Sequence, residues 1–159
     1  VRAEASRLGD HDALERADEI GPPPYDATGQ LALERLVDRF GGLFHSKPSF
    51  AWAVTRGILR GYVAPWEIPR FIRANEISLE TMNDELLALD LRKSVRSVAV
   101  PVYFFLGRYD RHVDARLAAA WLEQLEAPSK RLVWFEQSAH NVPFEEPERF
   151  VRTIVELLR

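Results

Sequence analysis

The sequence predicts an α/β fold in which a helical N-terminal region precedes a parallel β-α-β-α unit. Two continuous apolar runs, 100–106 and 132–135, the second within a predicted strand 131–135, are rich in β-branched and aromatic residues, a composition typical of buried parallel strands. One helical pattern lies between these runs and another follows the second. Strands that alternate with helices predict parallel pairing through a right-handed connection.

Residues 1–96 predict short helices with frequent breaks. Asp10 is a candidate N-cap for one helix, and the proline run that follows Gly21 ends it. Apolar spacing predicts another helix after Thr28, which ends at Gly41-Gly42. Residues 50–59 are apolar nearly all round, so we expect a helix that is well buried or faces another helix.

Two more helices are predicted in this region. Pro65 suits the first turn of one, and Ser78 is a candidate N-cap for the other. The latter has an apolar stripe at helical spacing, formed by Leu79, Met82, Leu86 and Leu87. The region is also rich in aromatic side chains, which we expect mainly as helix–helix core and alternatively as an apolar lid over a substrate. These aromatic residues are Phe40, Phe44, Phe50, Trp52, Tyr62, Trp66 and Phe71.

In the C-terminal part, Asp114 is a candidate N-cap for the helix between the strands. Pro147 opens the last helix, and Glu146 and Glu148 suit its positive N-terminal end. The predicted buried face of that helix consists of Phe150, Val151, Ile154, Val155 and Leu158.

Composition limits the function classes that fit. The 159 residues are 47% hydrophobic and 28% charged, as is common for globular proteins. The net charge of −3 is spread along the chain, so no clustered basic face predicts a nucleic-acid partner. The lack of cysteine excludes disulfides and cysteine-ligated metals, and fits a cytoplasmic protein. No apolar run approaches the roughly 20 residues of a membrane span.

The two candidate catalytic residues, Asp110 and His140, each follow a predicted strand. Parallel strands end at the same edge of a sheet, so these side chains are expected to meet there. Alone, each fits an ordinary turn acid or loop histidine; together they resemble the acid and histidine of a nucleophilic triad. Asp110, His112 and Asp114 alternate, but the capping role explains Asp114, so neither a metal site nor a cofactor is predicted.

The sequence around these residues resembles that of the α/β-hydrolase superfamily, most closely its proline iminopeptidase-like branch. The resemblance is carried by the acid turn Gly107-Arg108-Tyr109-Asp110, the histidine loop 138–143 and the following 145–150, with a glycine-proline turn at 21–25. It implies a partial α/β-hydrolase fold, with residues 1–96 as a helical cap or lid region and 97–159 as the C-terminal part of the core. It also implies a serine hydrolase in which Asp110 and His140 belong to a Ser-Asp-His triad.

The nucleophile of such a triad is absent from the sequence. No serine has the Gly-x-Ser-x-Gly surroundings of the family's nucleophile turn, and there is no cysteine. We therefore expect the chain to begin after the nucleophile and to be inactive by itself. The parent would hydrolyse an ester, amide or peptide through an acyl-enzyme, as an aminopeptidase or esterase; an aspartate nucleophile stays open.

Two apolar strands alone make a poor sheet, because their edges expose backbone donors and acceptors. An N-terminal fragment, a second chain or a self-associated copy is therefore the expected partner. The alternative function is a non-catalytic module that binds a small molecule or a partner protein, with Asp110 and His140 as relics.

Overall fold

A computed structural model describes residues 1–46 and 50–158. The chain divides into two compact units. The helical unit comprises residues 1–40 and 50–90. The sheet unit comprises the described residues of 41–49 and 91–159. The assignment of 1–96 as a cap and of 97–159 as part of a hydrolase core stays a prediction.

The helical unit contains five α-helices. They are α1 (Arg2–Leu8), α2 (His11–Ile20), α3 (Ala27–Arg39), α4 (Phe50–Leu59) and α5 (Ile68–Ala88), the last preceded by a 3-10 turn at Pro65–Glu67. The predicted cap of α2 is confirmed, because the Asp10 carboxylate accepts a hydrogen bond from the Ala13 amide at 3.1 Å. Helix α3 begins one residue before Thr28, with Asp26 as its cap.

Small side chains form the core of the helical unit. Ala5, Ala13, Ala17 and Leu36 are buried and lie on α1, α2 and α3. Alanines at these positions let the helix backbones approach closely, so this core is compact but contains little apolar surface. The expectation that α4 is well buried is wrong, because none of its residues is buried; the alternative, that it faces another helix, stays a prediction.

Phe40 packs against the helical core as predicted, but most of the other aromatic residues depart from the prediction of a helix–helix core. Tyr62 and Trp66 are 80% and 75% exposed, and Phe50 and Phe71 are exposed as well. Phe44 is buried, but it belongs to the sheet unit. Aromatic content alone does not fix burial, since the neighbouring surfaces that cover a side chain lie elsewhere in the chain.

The predicted break at Ser78 is wrong, because α5 runs without interruption from Ile68 to Ala88. Serine can cap a helix, but inside one it costs only about 0.5 kcal/mol relative to alanine. Neither glycine nor proline occurs between Arg70 and Ala88, so nothing stops the helix there. Met82, Leu86 and Leu87 of the predicted apolar stripe are about half exposed.

The sheet unit alternates strands and helices. Its elements are α6 (Leu91–Ser94), β1 (Val102–Gly107), α7 (Ala115–Gln124), β2 (Lys130–Phe135), α8 (Val142–Glu145) and α9 (Pro147–Leu157). The two strands are parallel, as predicted, and their register runs from Val102 opposite Lys130 to Gly107 opposite Phe135. The fold is therefore mixed α/β; α6 and α8 were not predicted.

Helices cover both faces of this short sheet. The Phe104 ring of β1 contacts Trp121 of α7, with centroids 5.7 Å apart. The next residue, Phe105, contacts Phe150 of α9 at 5.4 Å. Because successive side chains of a strand point to opposite faces, α7 and α9 lie on opposite sides of the sheet.

Polar contacts fix both ends of α7. Asp114 caps α7 as predicted, accepting a hydrogen bond from the Arg116 amide at 2.9 Å. The Lys130 ammonium, at the start of β2, donates to the carbonyls of Leu122, Glu123 and Leu125 at the end of α7. A cation at this end also favours the helix dipole. These hydrogen bonds fix the start of β2 against the C-terminal end of α7.

The predicted buried face of α9 is partly wrong. The helix begins at Pro147 as predicted, but Val151, Val155 and Leu158 are exposed. Thr153 is buried instead, and its hydroxyl donates to the Arg149 carbonyl at 2.8 Å.

Over the described residues, no helix is both long and apolar enough to cross a membrane.

Candidate active site

The candidate site lies where the two parallel strands end. Asp110 follows β1 by three residues and His140 follows β2 by five. The structure brings the two side chains together, with Nδ1 of His140 2.9 Å from Oδ2 of Asp110. The Asp110 side chain is 5% exposed and that of His140 is 38% exposed. A buried acid therefore faces Nδ1 of a partly accessible imidazole, and Nε2 is the nitrogen that does not bond Asp110.

Backbone amides fix the Asp110 carboxylate. Oδ1 accepts hydrogen bonds from the amides of His112 at 2.9 Å and Val113 at 3.1 Å. Oδ2 remains directed at His140. With one oxygen held by two donors, the carboxylate has little freedom to rotate, and it favours the tautomer of His140 with a proton on Nδ1.

The same contact changes the basicity of His140. The hydrogen bond to Asp110 raises the pKa of His140 above its ordinary value; burial opposes this effect and the negative charge of Asp110 adds to it. An imidazole with a raised pKa accepts a proton more readily. This is the property that a general base requires.

Gly107 allows the two loops to approach. A Cβ atom at this position would lie 2.0 Å from the Ala139 carbonyl oxygen and 2.5 Å from that of Ser138. Both are backbone atoms, so a side chain could be accommodated only by moving the histidine loop. The glycine at the end of β1 is thus the residue that lets His140 lie beside Asp110.

Two adjacent acids, Glu145 and Glu146, hold the histidine loop. Oε2 of Glu145 accepts from the Ala139 amide at 2.6 Å, and Oε2 of Glu146 accepts from the buried Ser138 hydroxyl at 2.6 Å. Burial alone would raise the pKa of Glu146, but hydrogen bonds from Ser138, Gln137 and Arg149 outweigh it and hold that pKa below its ordinary value. Glu146 therefore acts on the loop as a carboxylate acceptor.

Sequence reasoning missed these supporting contacts. It assigned Glu146 a favourable place near a helix N-terminus, gave Glu145 no role, and used Gly107 only as part of a motif. The available signal was a pair of acids within six residues of a loop histidine, since carboxylates near backbone amides commonly cap loops and helices. Which amides they reach depends on the loop path, which the sequence does not contain.

The two residues considered with Asp110 as a metal site, His112 and Asp114, make separate contacts. The His112 ring lies edge-to-face against His140, with centroids 4.6 Å apart. Asp114 faces the start of α7 as its cap. Among residues 1–46 and 50–158, no cluster of three or more acidic or histidine side chains could hold a metal ion.

No nucleophile accompanies the pair among the described serines. Ser138 donates its hydroxyl to Glu146 and Ser46 donates to Glu145. Within the described part of the chain, no serine hydroxyl is hydrogen-bonded to the His140 ring. The described residues therefore supply an oriented base and no serine hydroxyl bonded to it.

Comparison with known proteins indicates a peptidase-like relationship. The chain is 29% identical over 141 residues to Probable aminopeptidase YbaC of Bacillus subtilis (strain 168). The aligned region covers 85% of this chain and 43% of that protein, so the chain spans less than half of the length of this curated relative. No family model matches the chain, and no solved structure matches it.

Proposed function

We propose that this chain is the C-terminal part of an α/β-hydrolase of the proline iminopeptidase-like branch, with Asp110 and His140 as the acid and the base of its triad. The observation that carries the proposal is the 2.9 Å contact between His140 Nδ1 and Asp110 Oδ2 at the carboxyl ends of two parallel strands. Ligands and catalytic groups of open parallel sheets collect at that edge. The similarity to a probable aminopeptidase supports the same reaction class.

The chemistry follows from the orientation of the imidazole. Asp110 holds Nδ1, so Nε2 takes the proton of a nucleophile hydroxyl as its oxygen attacks the substrate carbonyl. The proton then passes from Nε2 to the departing amine or alcohol, which leaves an acyl-enzyme. Water, deprotonated by the same nitrogen, releases the acid and regenerates the hydroxyl.

The nucleophile is proposed to be a serine outside these 159 residues. No serine in the sequence stands in a Gly-x-Ser-x-Gly turn, and none in the described part bonds His140. The oxyanion hole would then also come from backbone amides outside the chain. Residues 1–96 would form the cap, residues 97–159 would be the C-terminal part of the core, and further strands would complete the sheet. The lack of cysteine fits action in the cytoplasm.

The test compares this chain with the longest natural polypeptide that contains it. Both are assayed on an aminoacyl p-nitroanilide and on a p-nitrophenyl ester, and both are treated with a serine-directed fluorophosphonate probe. We expect turnover and labelling in the longer polypeptide only, and a loss of turnover of on the order of 10³-fold or more in its His140→Ala variant.

Two results would overturn the proposal. Turnover by this chain alone that His140→Ala abolishes would show that the nucleophile lies inside it. A longer polypeptide that is folded but neither turns over nor takes the probe would favour the non-catalytic binding module.

A further inference from the structure

The segment that follows α3 lies against both loops of the candidate site. The Gly42 carbonyl accepts a hydrogen bond from the Arg111 amide at 3.3 Å, and the Leu43 carbonyl accepts from the Asn141 amide at 3.2 Å. Arg111 directly follows Asp110, and Asn141 directly follows His140. We call residues 42–46 the brace, because they contact both loops beside the catalytic candidates.

Side chains strengthen the brace at each end. The Asn141 amide group donates a second hydrogen bond to the Leu43 carbonyl at 3.1 Å. Phe44 is 2% exposed, and the His45 ring stacks on Tyr109, the residue before Asp110, with centroids 3.4 Å apart. The brace is therefore anchored by burial and by contacts with residues adjacent to both candidates.

One carboxylate joins the brace to the histidine loop. Oε1 of Glu145 accepts from the Ser46 amide at 2.9 Å and from its hydroxyl at 3.2 Å. Oε2 of the same group accepts from the Ala139 amide at 2.6 Å. Ala139 is fully buried and directly precedes His140. Hydrogen bonds to a charged acceptor are roughly twice as strong as neutral ones.

We propose that Glu145 is a positioning residue for His140, which it holds against Asp110 by tying Ala139 to Ser46 of the brace. The catalytic meaning of this role rests on the proposed function; the structural role does not. Within the described residues, Glu145 hydrogen-bonds to Ser46 and Ala139 and not to Asp110 or His140, so it acts through the backbone of the loop.

The chemistry of the contact suggests a discriminating variant. Both oxygens of Glu145 accept hydrogen bonds from N–H groups. The amide of glutamine has one oxygen and one NH2 group, so Glu145→Gln must turn a donor toward either Ser46 or Ala139. This variant keeps the size of the side chain and breaks one side of the link. Ser46→Ala is milder, because it removes the hydroxyl and leaves the Ser46 amide in place.

The experiment is an NMR titration of the histidine rings of this chain, with the His140 signals assigned through His140→Ala. We expect Glu145→Gln to shift the pKa of His140 back toward the ordinary histidine value and to reduce the population of the Nδ1-protonated tautomer. Ser46→Ala should shift both in the same direction by less. The matched control is Glu148→Gln, the same replacement at an exposed position of α9, which should change neither.

The outcomes separate this inference from the proposed function. Unchanged pKa and tautomer of His140 in a folded Glu145→Gln variant would overturn the inference, whatever the activity of the longer polypeptide. If Glu145→Gln does not fold, Ser46→Ala decides by the same readout. If the longer polypeptide is active, Glu145→Gln should lower its kcat by about 10- to 100-fold with little change in KM. If it is inactive, only the proposed function fails.

Discussion

At the scale of single residues, the site depends on the absence of a side chain at Gly107. The histidine loop passes so close to the end of β1 that any Cβ would overlap two of its carbonyl groups. The loop also has little room to move away from β1, because Ser138 and Ala139 are fully buried. Small size, rather than backbone flexibility, is the reason for glycine here.

We predict that Gly107→Ala destabilises the sheet unit by about 3 kcal/mol, because a backbone shift is needed to relieve the overlap. Urea denaturation measures the loss, and the His140 titration should show that the contact with Asp110 is weakened. Gly57→Ala is the matched control. Its Cβ would lie 2.9 Å from the Cγ2 methyl of Val63, a side-chain atom rather than backbone, so a smaller shift relieves the contact. Alanine also favours the helix interior by about 1 kcal/mol relative to glycine. Equal stabilities of the two variants would contradict the argument.

The Asp110–His140 contact predicts a pH dependence of stability. The folded-state pKa of His140 is raised above 6.5, so its contribution is fully present below that pH and is lost as pH rises through the folded value. Asp110→Asn removes the charge and should lower the pKa of His140. The difference in unfolding free energy between the wild type and this variant should therefore be larger at about pH 5.5 than at about pH 9. A difference that grows with pH would refute this assignment.

At the scale of elements, the sequence predicted those features that depend on residues close together in the chain, such as helix caps and strands. Asp10 and Asp114 cap helices because their carboxylates reach amides two or three residues away. The strands and their parallel pairing followed from two apolar runs separated by a helical pattern. The brace could not be predicted in this way, because Ser46 and Glu145 are 99 positions apart and their contact depends on the folded path between them.

Helix α9 shows why a correct element can have the wrong face. Within the predicted apolar face, Phe150 packs against Phe105 and Phe135, whereas Val151 and Val155 are exposed. Thr153 takes a buried place because its hydroxyl is satisfied by the Arg149 carbonyl. Hydrophobicity alone does not show which side of a helix meets the sheet, and it does not show what covers the other side.

The continuity of α5 gives a direct test of the corrected boundary. If Ser78 were an N-cap, Ser78→Ala would cost about 1 kcal/mol. As an exposed residue inside a helix, the same change should instead stabilise the helical unit by up to about 0.5 kcal/mol. Asp26→Ala, which removes a cap that accepts from the Gly29 amide at 2.7 Å, should cost about 1 kcal/mol. Denaturation of both variants distinguishes the cases. If Ser78→Ala lowered the unfolding free energy as much as Asp26→Ala does, Ser78 would be a helix N-cap after all.

At the scale of the whole molecule, the sheet unit has apolar surface that its own elements leave exposed. In the described part of the chain, each strand has one hydrogen-bonded neighbour, since the sheet contains only β1 and β2. The side chains of 102–106 are only half-buried, although all five are apolar or aromatic. Val151 and Val155 of α9, with Leu158 just after it, add an exposed apolar stripe. A partner that covers the helix and extends the sheet stays a prediction, and this exposed surface is the reason for it.

We therefore predict that the chain alone self-associates between low-micromolar and hundred-micromolar concentrations, as measured by sedimentation velocity. Burial of the α9 stripe would drive part of this association, so Val151→Glu should weaken it. Arg152→Glu introduces the same residue at the next exposed position, off the stripe, and should have a smaller effect. An N-terminal segment supplied in trans should replace self-association with a defined complex and raise the unfolding free energy by mass action. A monomer at all concentrations that unfolds in one cooperative transition would show that two strands and their helices suffice.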